Sequence, residues 1–297
     1  MKIFLTGSSG FVGKKILHDL LNTAYNVRCL VRRGSEHKIA HFKDRGIDIV
    51  NGDITDAGSL QDTLTGCDAV INLVGIIREF PGKGITFEKM HFEGTTNLVH
   101  AAKSQGVKRF IQMSALGARH DGKTGYQQTK FRAEECVRNS GLDYTIFRPS
   151  IIYGAEDKFV NLFARMLKIQ QFVPVVGNGK YLLQPVAVEN VSMGFVKAVE
   201  QKNAFGKTFD VGGPEKLEFD KIIDIIGEVT CLPPHKIHIP AKIMSFLAEM
   251  LDWLPSFPVT QDQITMLLEG NICNEKLFFR HFDLKPISFK EGISGYL

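Results

Sequence analysis

The first thirteen residues, Met1-Lys-Ile-Phe-Leu-Thr-Gly-Ser-Ser-Gly-Phe-Val-Gly13, decide the fold of this chain. Lys2–Thr6 has the apolar composition of a short buried strand, and three glycines spaced G-x-x-G-x-x-G follow it. An amphipathic pattern over residues 11–21 then predicts a helix. A strand that leads through glycines into a helix presents backbone N–H groups to a pyrophosphate. The stretch therefore predicts a dinucleotide-binding turn, with an ordinary strand-to-helix turn as the alternative.

The composition is that of a globular chain of enzyme size. The 297 residues are 44% apolar and 23% charged, which excludes disordered and collagen-like proteins. The net charge of +4 is too small and too dispersed to indicate nucleic acid as a partner. No window approaches the roughly 20 apolar residues of a membrane-spanning helix, and the start has no signal-peptide pattern. We therefore expect a cytoplasmic protein without a transmembrane segment.

Cysteines and histidines show no metal-binding pattern. The five cysteines are odd in number and widely scattered, which indicates reduced thiols in a reducing compartment. His235 and His238 form the close histidine pair of the sequence, and no cysteine or carboxylate completes a ligand set with them. We expect no metal site.

Strand and helix patterns alternate over the first 150 residues. The strand patterns after the first are Asn26–Val31 and residues 47–50, 68–74, 108–113 and 143–147. Helix patterns lie at residues 59–64, 87–104 and 129–139, with Gly106 and Gly141 where helix C-caps are expected. This alternation predicts an α/β fold, a doubly wound parallel sheet of Rossmann type. Ligands of such sheets bind beyond the carboxyl ends of the strands.

Three of these strand ends carry residues that suit a dinucleotide. Arg32 follows the second strand, where a guanidinium can pair with a 2′-phosphate that a carboxylate would repel. We therefore expect NADP(H) rather than NAD(H), with a solvated basic loop as the alternative. Asp53 and Ile54 follow the third strand and would contact the adenine, unless Asp53 caps the next helix. Val74 and Gly75 follow the fourth strand, close to the expected path of the cofactor.

A Tyr-x-x-x-Lys pair opens the helix between the fifth and sixth strands. Tyr126 and Lys130 lie four residues apart and therefore share one helix face. An ammonium near a phenol favours the phenolate, so we expect a lowered Tyr126 pKa and a proton-transfer role. Ser114, just past the fifth strand, completes the candidate catalytic set. Chance spacing in a chain with six tyrosines is the alternative.

Several ordered motifs together resemble the extended and atypical short-chain dehydrogenase/reductase superfamily. They are Thr6-Gly-Ser-Ser-Gly-Phe-Val-Gly13, Asn72-Leu-Val-Gly75, Gly94-Thr-Thr-Asn97-Leu98, Tyr126-Gln-Gln-Thr-Lys130, Phe147-Arg-Pro-Ser150 and Gln184-Pro-Val-Ala-Val188. Within the superfamily, the chain is most similar to NAD(P)-binding proteins related to the accessory Rossmann subunit of respiratory complex I. Residues 72–79, 113–118 and 255–263 carry that narrower likeness.

The resemblance implies NADP(H) bound at the glycine turn and at the strand ends. The turn residues that would contact it are Gly7, Ser9, Gly10, Phe11, Val12 and Gly13. The resemblance also implies Arg32 on the 2′-phosphate, Lys130 on the nicotinamide ribose and Tyr126 as proton donor or acceptor. The peptide after Pro149 would border the nicotinamide.

The chain departs from this pattern at the polarising hydroxyl. Alignment with sugar epimerases and dehydratases puts their catalytic Ser or Thr at Ala115, one residue after Ser114. Adjacent side chains on an extended segment point to opposite faces, so Ser114 is not expected to reach a substrate oxygen. The departure puts turnover, but not cofactor binding, in doubt.

The chain from residue 151 onward predicts a smaller, interleaved substrate or lid domain. We expect the Rossmann domain to comprise residues 1–150 and about 181–212, and the smaller region to comprise 151–180 and 213–297. Patterns there predict helices at 159–167, 191–199 and 217–229, strands at 184–188 and 208–211, and an apolar turn or strand at Phe172–Val176. The strand at 184–188 is expected to return to the main sheet. Nothing in this region names a substrate.

Residues 240–254 are unusually apolar. Their stripe comprises Ile243, Phe246, Leu247, Met250, Leu251 and Leu254, with Trp253 beside it. It predicts a helix packed on the lid, with a docking surface for a protein partner, a second copy or a membrane as the alternative. Lys242, Glu249 and Asp252 supply too little positive charge for a lipid-seeking helix.

Two functions remain open. Tyr126 and Lys130 favour an NAD(P)(H)-dependent enzyme with oxidoreductase- or epimerase-type chemistry on a small carbonyl or alcohol. Ala115 and the apolar stretch 240–254 favour an NADP(H)-binding structural or sensing subunit, or an assembly factor, of a respiratory-type complex with little turnover. Such a subunit would lie at the periphery of an inner-membrane complex.

Overall fold

The computed structural model describes residues 1–170, 172–251 and 259–297. Its strands are β1 (Lys2–Thr6), β2 (Asn26–Val31), β3 (Asp48–Asn51), β4 (Ala69–Asn72), β5 (Arg109–Met113), β6 (Asp143–Pro149), β7 (Ile152–Tyr153), β8 (Phe172–Val176), β9 (Leu182–Leu183), β10 (Val186–Ala187), β11 (Lys207–Val211), β12 (Leu217–Glu218) and β13 (His235–Ile239). Its α-helices are α1 (Phe11–Leu20), α2 (Gly94–Ser104), α3 (Gly125–Arg138), α4 (Val160–Gln170), α5 (Val188–Ala198), α6 (Phe219–Thr230), α7 (Ala241–Leu251), α8 (Gln261–Glu269), α9 (Lys276–His281) and α10 (Phe289–Ser294). A π-helical turn, Glu88–Glu93, precedes α2.

The chain divides into two compact units. The first comprises Met1–Arg148, Glu189–Phe209 and Leu277–Leu284, and the second comprises Pro149–Val188, Asp210–Lys276 and Lys285–Leu297. No helix within the described ranges is long and apolar enough to cross a membrane.

The first unit is built on one seven-stranded sheet. Its strand order is β11-β6-β5-β4-β1-β2-β3. β1 pairs in parallel with β2 on one side and with β4 on the other, so that Thr6 lies level with Leu30 and Asn72. The order of the strands reverses at β1, which creates the crevice where doubly wound sheets bind their ligands. The predicted Rossmann fold is confirmed.

Both faces of this sheet are buried. On one face, Phe4, Val70 and Phe110 pack in a core that includes residues of α2 and α3. On the other face, the Phe147 ring lies 4.6 Å from the Phe195 ring of α5. Burial on both faces explains why the strands read as continuous apolar runs rather than as alternating patterns.

The predicted helices differ from the structure mainly at their starts. The pattern at 59–64 is only a short 3₁₀ turn at Ala57–Leu60. α3 begins at Gly125 rather than 129, because Thr124 and Gln127 form a capping box that nucleates the helix earlier. This earlier start places Tyr126 in the first turn.

The second unit has its own core around α4 and α6. Phe163, Phe219 and Ile222 are buried there with residues of α10. The predicted return of strand 184–188 to the main sheet is wrong. Only β10 forms, and it pairs with β7 in a separate two-stranded sheet. Pro185 has no N–H group for a ladder, so a longer strand is disfavoured.

α7 packs on one side and exposes apolar side chains on the other. Met244 and Ala248 are buried against Val176 and Ile264. The exposed large apolar side chains of the helix are Ile243, Phe246, Leu247 and Met250. The expectation that the whole stripe packs internally is therefore wrong, because the packed face of α7 is narrower than the apolar stripe. Residues 252–258, which include Trp253, Leu254 and part of the 255–263 motif, lie outside the described residues.

Candidate functional site

The turn between β1 and α1 depends on two glycines. Gly7 has φ of 74°, a left-handed conformation that side chains rarely adopt. A Cβ on Gly13 would overlap the backbone carbonyl oxygen of Gly7. Gly10 is the N-cap of α1 and no side chain caps the helix, so the N–H groups of its first turn stay available to an anion.

A cleft of about 250 Å³ opens at the carboxyl ends of β1, β2, β3 and β4. It is lined by Thr6, Gly7, Ser9, Gly10, Leu30, Val31, Arg32, Ser35, Gly52, Asp53, Ile54, Leu73, Val74, Gly75, Ile76 and Met90. Most of the predicted cofactor contacts belong to this lining. Phe11, Val12 and Gly13 lie instead in the first turn of α1. Pro149 belongs to the second unit.

The rim after β2 is basic. Arg32 is exposed there, and the Ser35 N–H donates to the Arg32 carbonyl at 2.9 Å across a turn in which Gly34 has φ of 81°. This turn brings both Arg32 and Ser35 into the lining. Ser35 was not predicted, although its place two residues after the arginine pair could have suggested it.

The wall after β3 combines an acid with an apolar side chain. Asp53 Oδ1 accepts from both the N–H and the hydroxyl of Thr55 at 2.9 Å. Asp56 rather than Asp53 caps the following 3₁₀ helix. Ile54 is fixed from behind, since its carbonyl accepts from Asn97 Nδ2 at 2.9 Å and only a glycine at position 94 leaves room for its side chain.

A buried polar network holds the strand ends in register. Asn72 Oδ1 accepts from the Thr6 hydroxyl at 2.7 Å, and Asn72 Nδ2 donates to Gln112 Oε1 at 2.9 Å. The bonds join β1, β4 and β5 directly beneath the cleft. All three side chains are buried and satisfied, so they rigidify the floor of the site.

Lys130 lies at the Gly75 end of the cleft, and Tyr126 lies one helical turn before it on α3. Lys130 is buried, its Nζ donates to the Met113 carbonyl at 3.4 Å, and a Cβ on Gly75 would lie 2.7 Å from that Nζ. The Tyr126 ring packs edge-on against the rings of Phe87 and His91, at centroid distances of 5.7 and 5.3 Å. Sequence analysis missed these two rings because they come from a different segment of the chain.

Burial governs the titration of this pair. It raises the pKa of Tyr126 to about 12. It lowers the pKa of Lys130 to about 8, and the nearby Glu134 carboxylate opposes that change. The expected lowering of the Tyr126 pKa is therefore not found. The cost of burying the charged phenolate outweighs any stabilisation by the Lys130 ammonium on the same helix face. Tyr126 is a neutral phenol at pH 7.

Ser114 is buried just past β5. Its N–H donates to the Phe147 carbonyl at 2.7 Å, and its hydroxyl has no hydrogen-bond partner in the described part of the chain. Ala115 follows it and supplies no hydroxyl. Ser114 thus remains a candidate, with no contact that assigns it a role.

Within the described residues, no group of three or more His, Cys, Asp or Glu side chains could hold a metal ion. His238 Nε2 lies 3.0 Å from Asp220 Oδ2, an isolated pair. Burial raises the pKa of the Cys29 thiol to about 12, so this thiol stays protonated.

Comparison with known proteins agrees with this geometry. A family model described as NAD(P)H-binding matches residues 7–163. The chain is 29% identical over 300 residues to NADH dehydrogenase (ubiquinone) 1 alpha subcomplex subunit 9, mitochondrial, of Arabidopsis thaliana, covering 96% of this chain and 74% of that protein. It is 27% identical over 250 residues to Photosystem II assembly factor Ycf39 of Synechocystis sp., covering 83% of this chain and 73% of that protein.

Solved structures confirm the fold. UDP-glucose 4-epimerase of Thermotoga maritima, with UDP-glucose, has a TM-score of 0.78 at 20% identity and covers 100% of this chain and 97% of that one. dTDP-glucose 4,6-dehydratase of Bacillus anthracis, in complex with NAD, has a TM-score of 0.79 at 16% identity. The match covers 100% of this chain and 95% of that one. The resemblance inferred from the motifs is confirmed.

Proposed function

Because the chain belongs to the NAD(P)H-binding family, we propose that it binds NADP(H) in the cleft beyond β1 and uses it for oxidoreductase-type chemistry on a small carbonyl or alcohol. The observation that carries the proposal is the placement of Lys130 directly behind Gly75, in the wall of the cleft, with Tyr126 one helical turn before it on α3. A protein that only binds the nucleotide has no need of a tyrosine at that place.

The residues present fit a dinucleotide. The uncapped first turn of α1 offers N–H groups to a pyrophosphate, and Gly7 keeps the backbone of the turn free of side chains. Ile54 supplies an apolar wall, and the Asp53 carboxylate stands beside it at the end where an adenine would lie. Arg32 and Ser35 supply a cation and a hydroxyl for a 2′-phosphate.

Replacing Arg32 by alanine should weaken NADPH binding by about tenfold or more and leave NADH binding nearly unchanged. The reason is that a charge-assisted hydrogen bond to a phosphate contributes about 1.5–3 kcal/mol. Titration calorimetry with both nucleotides measures the effect. Arg33→Ala is the matched control, since Arg33 is exposed and lies outside the lining. Equal affinities of the wild type for NADPH and NADH would contradict the preference.

The protein's own part in the reaction is a proton transfer at the Tyr126 hydroxyl. A bound nicotinamide supplies the capacity to accept or donate a hydride. Tyr126 is neutral at pH 7, so its phenol can donate a proton to the oxygen of a carbonyl during reduction. The ammonium of Lys130 then stabilises the phenolate that remains. Because Ala115 offers no hydroxyl to polarise that oxygen, we propose slow turnover.

A second function is favoured by the exposed face of α7. Four large apolar side chains on one helix face, Ile243, Phe246, Leu247 and Met250, are unusual on the surface of a protein that acts alone. The names of two relatives describe a subunit and an assembly factor of larger complexes. We therefore propose, as the alternative, a cytoplasmic NADP(H)-binding subunit or assembly factor that docks at the periphery of a membrane complex.

Phe246→Asp should leave the melting temperature nearly unchanged, because the Phe246 side chain is 59% exposed. Met244→Asp on the same helix should lower it clearly, since Met244 is 8% exposed and a buried charge costs several kcal/mol. Thermal unfolding of both variants checks the orientation of α7. If the protein docks on a complex, Phe246→Asp should also abolish co-purification with that complex. A marked loss of stability in Phe246→Asp would show that this face is packed.

A further inference from the structure

A buried histidine joins two walls of the candidate site. His91 is 1% exposed and lies in the π-helical turn Glu88–Glu93. π-helical turns are rare and frequently lie at functional sites. Met90, the preceding residue, lines the cleft. The turn therefore directs the Met90 side chain to the cleft and the His91 side chain to Thr129 and Ile76.

The first nitrogen of His91 faces the helix that carries Tyr126. His91 Nδ1 lies 3.0 Å from the Thr129 hydroxyl oxygen. That hydroxyl has one hydrogen and can direct it to a helix carbonyl, of Gly125 at 2.7 Å or of Tyr126 at 3.2 Å. With the hydrogen directed this way the oxygen accepts from a protonated Nδ1, and with the hydrogen turned to the ring it donates to Nδ1.

The second nitrogen faces the cleft loop. Ile76 offers Nε2 both a donor and an acceptor, so either tautomer of the imidazole has a partner there. The Ile76 N–H donates to Nε2 at 3.1 Å, and the Ile76 carbonyl lies at the same distance. Burial and the charge of Lys130 keep the ring neutral by lowering the pKa of His91 to about 2. The neutral ring therefore bonds both Thr129 and Ile76 in either tautomer.

The ring itself completes an aromatic cluster. Phe87 stacks on His91 at a centroid distance of 5.3 Å, and Tyr126 meets His91 edge-on at an interplanar angle of 89°. One side chain thus contacts the tyrosine ring and hydrogen-bonds both the helix and the loop.

We propose that His91 is a positioning residue, whose two nitrogens hold the loop Gly75–Ile76 against the α3 turn that carries Tyr126 and Lys130. It acts through its neighbours, since His91 itself is not among the lining residues and its Nε2 lies behind Gly75, which is one of them. Without His91, Ile76 loses its side-chain hydrogen-bond partner, and the loop Gly75–Ile76 is no longer held in position beside Lys130. This inference rests on the proposed nucleotide site, at the end where the nicotinamide would lie.

Three variants separate hydrogen bonding from packing. Gln places its side-chain amide near the position of Nε2 and can still accept from Ile76, Asn reaches only the position of Nδ1, and Leu makes neither bond. We expect His91→Leu and His91→Asn to weaken NADPH binding about tenfold, and His91→Gln to restore most of the loss. The readout is the fluorescence of bound NADPH, with His100→Leu, an exposed histidine on α2, as control. Equal losses in all three variants, or wild-type affinity in His91→Leu, would overturn the proposal.

A measurement on the unmodified protein guards against variants that fail to fold. Long-range ¹⁵N–¹H correlation at pH 7, assigned with His91→Gln, should show a neutral imidazole held in a single tautomer. A charged imidazole, or signals averaged between the two tautomers, would overturn the proposal. Neither readout depends on turnover, so failure of the proposed reaction would leave both results interpretable. Failure of the wild type to bind NADPH would instead remove the nucleotide site itself.

Discussion

Gly13→Ala is expected to abolish measurable NADPH binding, with a loss of about a hundredfold or more. A methyl group at this position would overlap the Gly7 carbonyl, and both partners are backbone, so neither can turn aside. Opening the turn to relieve this overlap costs about 3 kcal/mol, a free energy comparable to that of overpacking a protein core. Titration calorimetry with NADPH measures the loss, and circular dichroism checks that the protein remains folded.

Gly82→Ala is the matched control for this experiment. Nothing lies within 4 Å of a Cβ on Gly82, and its φ is ordinary. We expect its NADPH affinity to equal that of the wild type. A folded Gly13→Ala protein that binds NADPH within threefold of the wild type would show that the nucleotide does not use the β1–α1 turn.

Tyr126→Phe is expected to reduce turnover by about a hundred- to ten-thousand-fold, the range for loss of a general acid. NADPH affinity should stay nearly constant, because the phenylalanine ring keeps the packing against Phe87 and His91 and only the hydroxyl is lost. Tyr144→Phe, on β6 and away from the cleft, serves as control. Steady-state rates with a carbonyl substrate and NADPH titrations on the same preparations separate the two effects. A rate within threefold of the wild type would remove Tyr126 from the mechanism.

The sheet could be predicted from the sequence because its strands are buried on both faces. A strand that is buried on both faces is apolar along its length whichever elements pack on it, as at Asn26–Val31. Each such run also ends at a recognisable turn. The strand at 184–188 could not be predicted correctly. Its apolar residues are buried in the second unit, and only the missing N–H group of Pro185 indicated that the ladder would be short.

The candidate site could be predicted where its chemistry is local. The glycine turn, Arg32 and the Tyr126–Lys130 spacing each lie within a few residues, so the sequence displays them. The pKa of Tyr126 could not be predicted, because its burial by Phe87 and His91 depends on segments far apart in the chain. His91 itself carried no signal, since a lone histidine in an apolar helix pattern resembles an ordinary core residue.

Single-turnover oxidation of bound NADPH tests the central claim most directly. The measurement mixes the NADPH complexes of the wild type and of Tyr126→Phe with a panel of small carbonyl compounds and follows nicotinamide absorbance. We predict that the wild type slowly oxidises NADPH with at least one compound. Tyr126→Phe should bind NADPH equally well, and its rate of oxidation should be lower by about a hundredfold or more. If both proteins bind NADPH alike and neither oxidises it with any compound, the enzyme account is contradicted and the nucleotide-binding subunit replaces it.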